Sequence, residues 1–140
     1  VPIGAIWAKR EVAEAFQPGD HATTYGGQPL ATSAARAVLR VMESIDAPAL
    51  ARSAGEELMG KLLTVPNVLD TRGLGLLIAA EVDTERVGMT GPEIALACLK
   101  EGLVVNGISP TAIRLAPPLT VSAEEIDEAI AKLSRVLGGR

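Results

Sequence analysis

The spacing of apolar positions changes several times along the chain, and each change marks an element. Residues 1–8 are apolar with two breaks and predict a buried strand. Lys9 to Phe16 places charge on one side and apolar residues on the other, a short helical turn stopped by Pro18-Gly19. From Asp20 to Gln28 the chain is polar and glycine-bearing, which predicts a loop. Pro29 suits the first turn of a helix, where its missing N–H costs nothing. Behind it Ala31, Ala34, Ala35, Val38, Met42 and Ile45 recur at helical spacing, with Pro48 expected to end or bend that helix. A second helix, Ala49 to Leu63, carries Leu50, Ala54, Leu58 and Leu62 on one face.

After Pro66 the pattern shifts to a strand-like one. Val68 to Val82 is rich in Val, Leu and Ile and contains Gly73 and Gly75, which predicts two short strands around a glycine bend. Thr90-Gly91-Pro92-Glu93 has the S/T-x-x-E spacing of a capping box and opens a helix ending near Gly102. Leu103 to Ile108 and Ala112 to Leu115 read as strands, the second stopped by Pro117-Pro118. Ser122-Ala123-Glu124-Glu125 is a second capping box, and Ile126, Ile130, Leu133 and Leu137 line one side of the last helix. The prediction is an α/β protein in two parts. The order is a strand, a loop and a long helix, then a compact α/β unit in which strands are followed by helices. No internal repeat or low-complexity tract is present.

Composition narrows the function classes. The chain has 140 residues, enough for a real core, and 48% of them are apolar while only 2% are aromatic. That core must therefore be built from Leu, Val, Ile and Ala. A net charge of −4 gives no electrostatic reason to expect nucleic acid or an anionic membrane as partner. No apolar run is long enough to span a bilayer. The single Cys98 excludes an internal disulfide and fits a reducing cytoplasm, and one His with one Cys cannot supply a zinc tetrad. The opening Val1-Pro2-Ile3-Gly4-Ala5 has neither an initiator methionine nor a signal-peptide plan, and reads as the inside of a strand.

Three places carry chemistry. In Asp20-His21-Ala22-Thr23-Thr24-Tyr25-Gly26-Gly27-Gln28-Pro29, two hydroxyls, a Gly-Gly pair and a helix start suit a phosphate, although an ordinary turn has the same composition. Arg114, flanked by apolar strand residues, suits a bidentate grip on a carboxylate; a structural ion pair or a solvated side chain is the competing reading. Arg72 precedes Gly73-Leu74-Gly75, whose glycines serve backbone geometry, and the run lacks the third glycine of a dinucleotide site. His21 reads as a loop hydrogen-bonder and Cys98 as a buried, inert thiol. The acids Glu124, Glu125, Asp127 and Glu128 suit the positive end of the last helix.

In order and spacing, four segments resemble the class III (fold-type I) pyridoxal-phosphate aminotransferases. They are Val1 to Ala5, Pro18 to Ala31, Arg72-Gly73-Leu74-Gly75-Leu76, and Ile113-Arg114-Leu115-Ala116-Pro117-Pro118-Leu119. In the second segment the family often has Asn where Gln28 stands. The resemblance implies that residues 1–45 are the end of a large cofactor domain plus its linking helix, and 46–140 the small C-terminal domain. It implies that Thr24 binds the phosphate of pyridoxal 5'-phosphate across a homodimer interface, that Thr23 lies beside it and touches substrate, and that Arg114 grips the substrate α-carboxylate. The Schiff-base lysine is expected upstream of Val1, because Lys9, Lys61, Lys100 and Lys132 do not match its motif and read as solvated. This chain alone is then expected to be inactive. Leu103-Val104-Val105-Asn106 followed by Arg114 resembles the acetylornithine branch, which moves the amino group of N-acetylornithine to 2-oxoglutarate in arginine biosynthesis. Succinylornithine, ornithine and 4-aminobutyrate enzymes are the alternatives within the class, and a non-catalytic α/β partner-binding module is the alternative outside it.

Overall fold

The computed structural model describes residues 2–20 and 23–138, which form two compact units, Val1–Ile45 and Asp46–Arg140. In the first unit a short helix α1 (Arg10–Ala13) is followed by turns and then by α2 (Pro29–Ser44). The strand expected over residues 1–8 does not form. Residues 2–9 are irregular and mostly exposed, with Ile6 and Trp7 at 86% and 90% exposure. A strand needs a ladder partner, and no other strand exists among the described residues of this unit. Turns occupy Thr24–Gly27, as the polar composition predicts. His21 lies outside the described residues.

The helix after Pro29 stops before Pro48. It ends at Ser44, and Asp46 takes a left-handed conformation (φ 47) and caps α3 (Ala47–Leu62) by accepting from the Ala49 N–H at 3.4 Å. Pro48 therefore sits in the first turn of the next helix, where a missing N–H is tolerated.

The second unit is a sheet covered on one face by helices. Strands β1 (Val68–Leu74) and β2 (Leu77–Val82) form an antiparallel hairpin whose loop is Gly75-Leu76. Two short helices follow, α4 (Thr84–Val87) and α5 (Gly91–Lys100). The first was not foreseen; Asp83 caps it by accepting from the Arg86 N–H at 3.0 Å. Strands β3 (Asn106–Gly107) and β4 (Ala112–Leu115) then complete an antiparallel sheet of order β1-β2-β4-β3, and α6 (Ala123–Leu137) closes the unit.

β3 is shorter than the strand expected over Leu103–Ile108. Its ladder with β4 covers only Asn106 opposite Arg114 and Gly107 opposite Ile113.

Alternation decides which side of the sheet is buried. Ile78, Ala80 and Val82 of β2 and Ile113 and Leu115 of β4 point to one face. There they meet Leu58 and Leu62 of α3, Ile94 and Cys98 of α5, and Ile126, Leu133 and Leu137 of α6. Each of the larger aliphatic side chains contributes roughly 1.5–3 kcal/mol by leaving water. Both predicted capping boxes form, with Glu93 accepting from the Thr90 N–H at 2.8 Å and Glu125 from the Ser122 N–H at 2.8 Å. The hairpin turn docks on α3 at a glycine. A Cβ at Gly55 would lie 2.2 Å from the Gly75 carbonyl oxygen, so only glycine permits this approach.

Candidate active site

The loop before α2 presents two hydroxyls. Thr23 and Thr24 are exposed, and neither has a hydrogen-bond or charged partner among the described residues. Thr23 packs against Gly26, where an added Cβ would lie 2.1 Å from the threonine methyl. Gln28 stands at the N-cap without a side-chain cap, Pro29 follows, and the first turn of α2 has no acidic residue.

The contrast with α5 and α6 is chemical. Those helices neutralise their own N-termini with Glu93 and with Glu124 and Glu125. The Thr90 N–H holds Glu93 below the usual carboxylate range, and the backbone N–H of Glu124, then the Ser122 hydroxyl, do the same for Glu124. The start of α2 keeps its partial positive charge and orphan N–H groups open, an arrangement that favours an anion.

Arg114 lies on the sheet face opposite the core. Register places Asn106 and Ala79 beside it on the two neighbouring strands. Its Nη2 donates to the Asn106 Oδ1 at 3.4 Å, a long contact that steers the guanidinium without cancelling its charge. The flanking Ile113 and Leu115 point the other way into the core and fix the strand beneath it. Of the competing readings for this arginine, a structural ion pair is absent among the described residues.

Arg72 differs. It stands on the same open face of β1, opposite Ala79, and its Nη1 bonds the Glu81 Oε2 at 3.0 Å. The Thr111 hydroxyl, and then Arg72, hold the Glu81 carboxyl below its ordinary range. Glu81 was not singled out in the sequence, although counting back across a hairpin centred on Gly75-Leu76 puts it on the same face as Arg72. Thr23 and Thr24 belong to the first unit and Arg72, Glu81, Asn106 and Arg114 to the second.

Two lysines and the cysteine are accounted for by packing. Lys61 pairs with Asp127 and, at 2.7 Å, with Glu57, bonds that raise its pKa. Lys132 pairs with Glu128 at 2.6 Å and donates to the Gly102 carbonyl at 3.2 Å. Cys98 has no exposed surface, and burial, with a smaller push from Glu101, raises its thiol to about 11.

Residues 1–137 match the aminotransferase class-III family. An acetylornithine aminotransferase of Caldanaerobacter subterraneus subsp. tengcongensis is 43% identical over 142 residues, covering 97% of this chain and 34% of that protein. An ornithine aminotransferase of Bordetella pertussis is 37% identical over 139 residues, covering 97% of this chain and 33% of that one. The solved ornithine aminotransferase of Plasmodium yoelii superposes with a TM-score of 0.76 at 30% identity, over 94% of this chain and 35% of that one. The chain spans about a third of the length of the relatives it matches. With a mixed helix-and-sheet fold that these enzymes share and a family match along nearly its whole length, the chain belongs to the class-III aminotransferases.

Proposed function

We propose that this chain supplies the phosphate-anchoring loop and the carboxylate-binding arginine of a pyridoxal-phosphate aminotransferase that uses N-acetylornithine and 2-oxoglutarate. The observation that carries the reading is Arg114, an exposed guanidinium on the sheet whose one partner among the described residues is the neutral Asn106. A charge held in place and left uncancelled is suited to a bidentate carboxylate.

The residues present fit one end of pyridoxal phosphate. The Thr23 and Thr24 hydroxyls, without a partner among the described residues, and the uncapped start of α2 offer donors and positive potential to a phosphate. In this reading Thr24 donates to the phosphate in the neighbouring subunit's site of a homodimer, and Thr23 lies beside it against substrate. When bound, the cofactor withdraws electrons from the carbon that carries the amino group. Arg114 fixes the carboxylate on that same carbon, so the bond to be broken keeps one orientation to the ring.

The lysine that holds the cofactor belongs, in this proposal, to sequence outside these 140 residues. Lys9, Lys61, Lys100 and Lys132 do not match the lysine motif of the family, and Lys61 and Lys132 are held in ion pairs with Glu57, Asp127 and Glu128. The chain alone is therefore inactive, and the assembled protein works in the cytoplasm. Ornithine as amino donor is the second reading, favoured by the Bordetella pertussis relative.

The test uses the complete protein. N-acetylornithine should exceed ornithine, succinylornithine and 4-aminobutyrate in kcat/KM against 2-oxoglutarate, and Arg114→Ala should lower that value for every amino acid with an α-carboxylate. Unchanged kinetics in Arg114→Ala would overturn the assignment of this arginine. A preference for ornithine would overturn the substrate alone.

A further inference from the structure

On the open face of the sheet one cross-strand row reads Arg72, Ala79, Arg114, Asn106. Two guanidinium groups thus flank the small Ala79 from either side of β2. The next residue of β2 on that face is Glu81, whose own partners across the strands are Asp70 and Ala112. Glu81 is accordingly a diagonal neighbour of both arginines, within reach of long side chains on either side.

A single carboxylate between two arginines neutralises whichever one it joins. Here it joins Arg72, at 3.0 Å, and Arg114 turns to the neutral Asn106 instead. We propose that Arg72 is a positioning residue: by holding Glu81 it keeps that carboxylate off Arg114 and leaves the Arg114 charge open to a substrate carboxylate. The inference rests on the reading of Arg114 as a carboxylate grip.

Three groups decide where Glu81 goes once Arg72 is gone. Asp70, directly opposite on β1, repels it. Thr111, which adjoins β4 and accepts the Val82 N–H on its carbonyl at 2.9 Å, draws it toward the β4 side with its hydroxyl. Arg114, on β4, attracts it. Asp70 and Arg114 favour a swing toward Arg114, and their full charges outweigh the neutral Thr111 hydroxyl, which lies beyond Ala112 on the side away from Arg114, so loss of Arg72 closes the site from a distance.

The test is residue-by-residue modification of the complete protein by phenylglyoxal, mapped by mass spectrometry with and without 2-oxoglutarate as the protecting probe. The reagent attacks the neutral guanidine, so a carboxylate that stabilises the cation slows it. In the unsubstituted chain Arg114 should react faster than Arg72, and 2-oxoglutarate should slow Arg114. In Arg72→Gln, Arg114 should react about threefold more slowly, the scale of an exposed ion pair, and lose its protection by 2-oxoglutarate. Arg72→Lys, which retains a cation for Glu81, should behave like the unsubstituted chain. The double variant Arg72→Gln/Glu81→Gln should restore both rate and protection, which a merely structural loss would not do. Protection of Arg114 that persists unchanged in Arg72→Gln would overturn the role given to Arg72 while leaving the carboxylate reading intact. No protection in the unsubstituted chain would sink both.

Discussion

Arg114 shows how much a strand can do for one side chain. Its neighbours Ile113 and Leu115 are buried, so the backbone cannot drift, and its guanidinium projects from the opposite face. Lysine at this position keeps the charge but loses the fork. In the complete enzyme Arg114→Lys should therefore raise KM for 2-oxoglutarate about tenfold or more, the scale of a lost charge-assisted hydrogen bond, with kcat falling less; steady-state kinetics checks this. Cys98 gives a second residue-scale expectation. Its thiol titrates near 11 in the folded chain, against 9.0 for an ordinary thiol. Between those values the unfolded chain loses the proton and the folded one keeps it, so stability should fall as pH rises through that window. Urea midpoints at successive pH values should show the decline, and Cys98→Ser should flatten it. At neutral pH a thiol reagent should label Cys98 only after denaturation. The arginines and the cysteine were legible in the sequence, because a charge in an apolar strand and a thiol at a helical core position are local signals. Glu81 was not, because its role depends on which residues face it across two strands.

Helices announced themselves where their ends carried chemistry. The two S/T-x-x-E boxes placed α5 and α6, and both boxes form. Ser122→Ala should cost about 1 kcal/mol, the usual worth of such a cap, measured as a lower urea midpoint of residues 46–140. Gly55→Ala should cost more despite the better helix propensity of alanine, because its methyl group meets the Gly75 backbone. Overpacking of this kind costs about 1–3 kcal/mol, and a rise in stability would show that the hairpin turn shifts freely. The hairpin itself was legible from Gly73 and Gly75. What escaped the pattern were elements whose limits are set elsewhere in the chain. β3 is only the length of its pairing with β4, two residues, and residues 2–9 stay irregular because no described strand of their unit pairs with them. The break at Asp46 was hidden by Pro48, which reads as a stop but acts as a start.

At the scale of the molecule the two units are unequally built. Nearly all of the buried hydrophobic side chains lie in residues 46–140, whereas the first unit leaves Leu30, Val38, Leu39 and Val41 exposed. Limited trypsin digestion should cut first at Lys9, Arg10, Arg36 or Arg40 and leave a resistant fragment beginning beyond them. Equal cutting in both units would contradict this. In the sequence the pattern changes from helical to strand-like only after Pro66; the one-sided covering of the sheet comes from the alternation of Ile78, Ala80 and Val82 with Ala79 and Glu81 in β2. That alternation has a cost for sequence change. Because side chains switch sides at every residue of a strand, one extra residue inserted within β1 between Arg72 and the Gly75-Leu76 loop would turn Arg72 toward the helices and present its neighbour in its place. The length of this stretch is thus a molecular ruler for the chemistry beside it. Homologous chains that add a residue in β1 should have compensated with a bulge or another arginine.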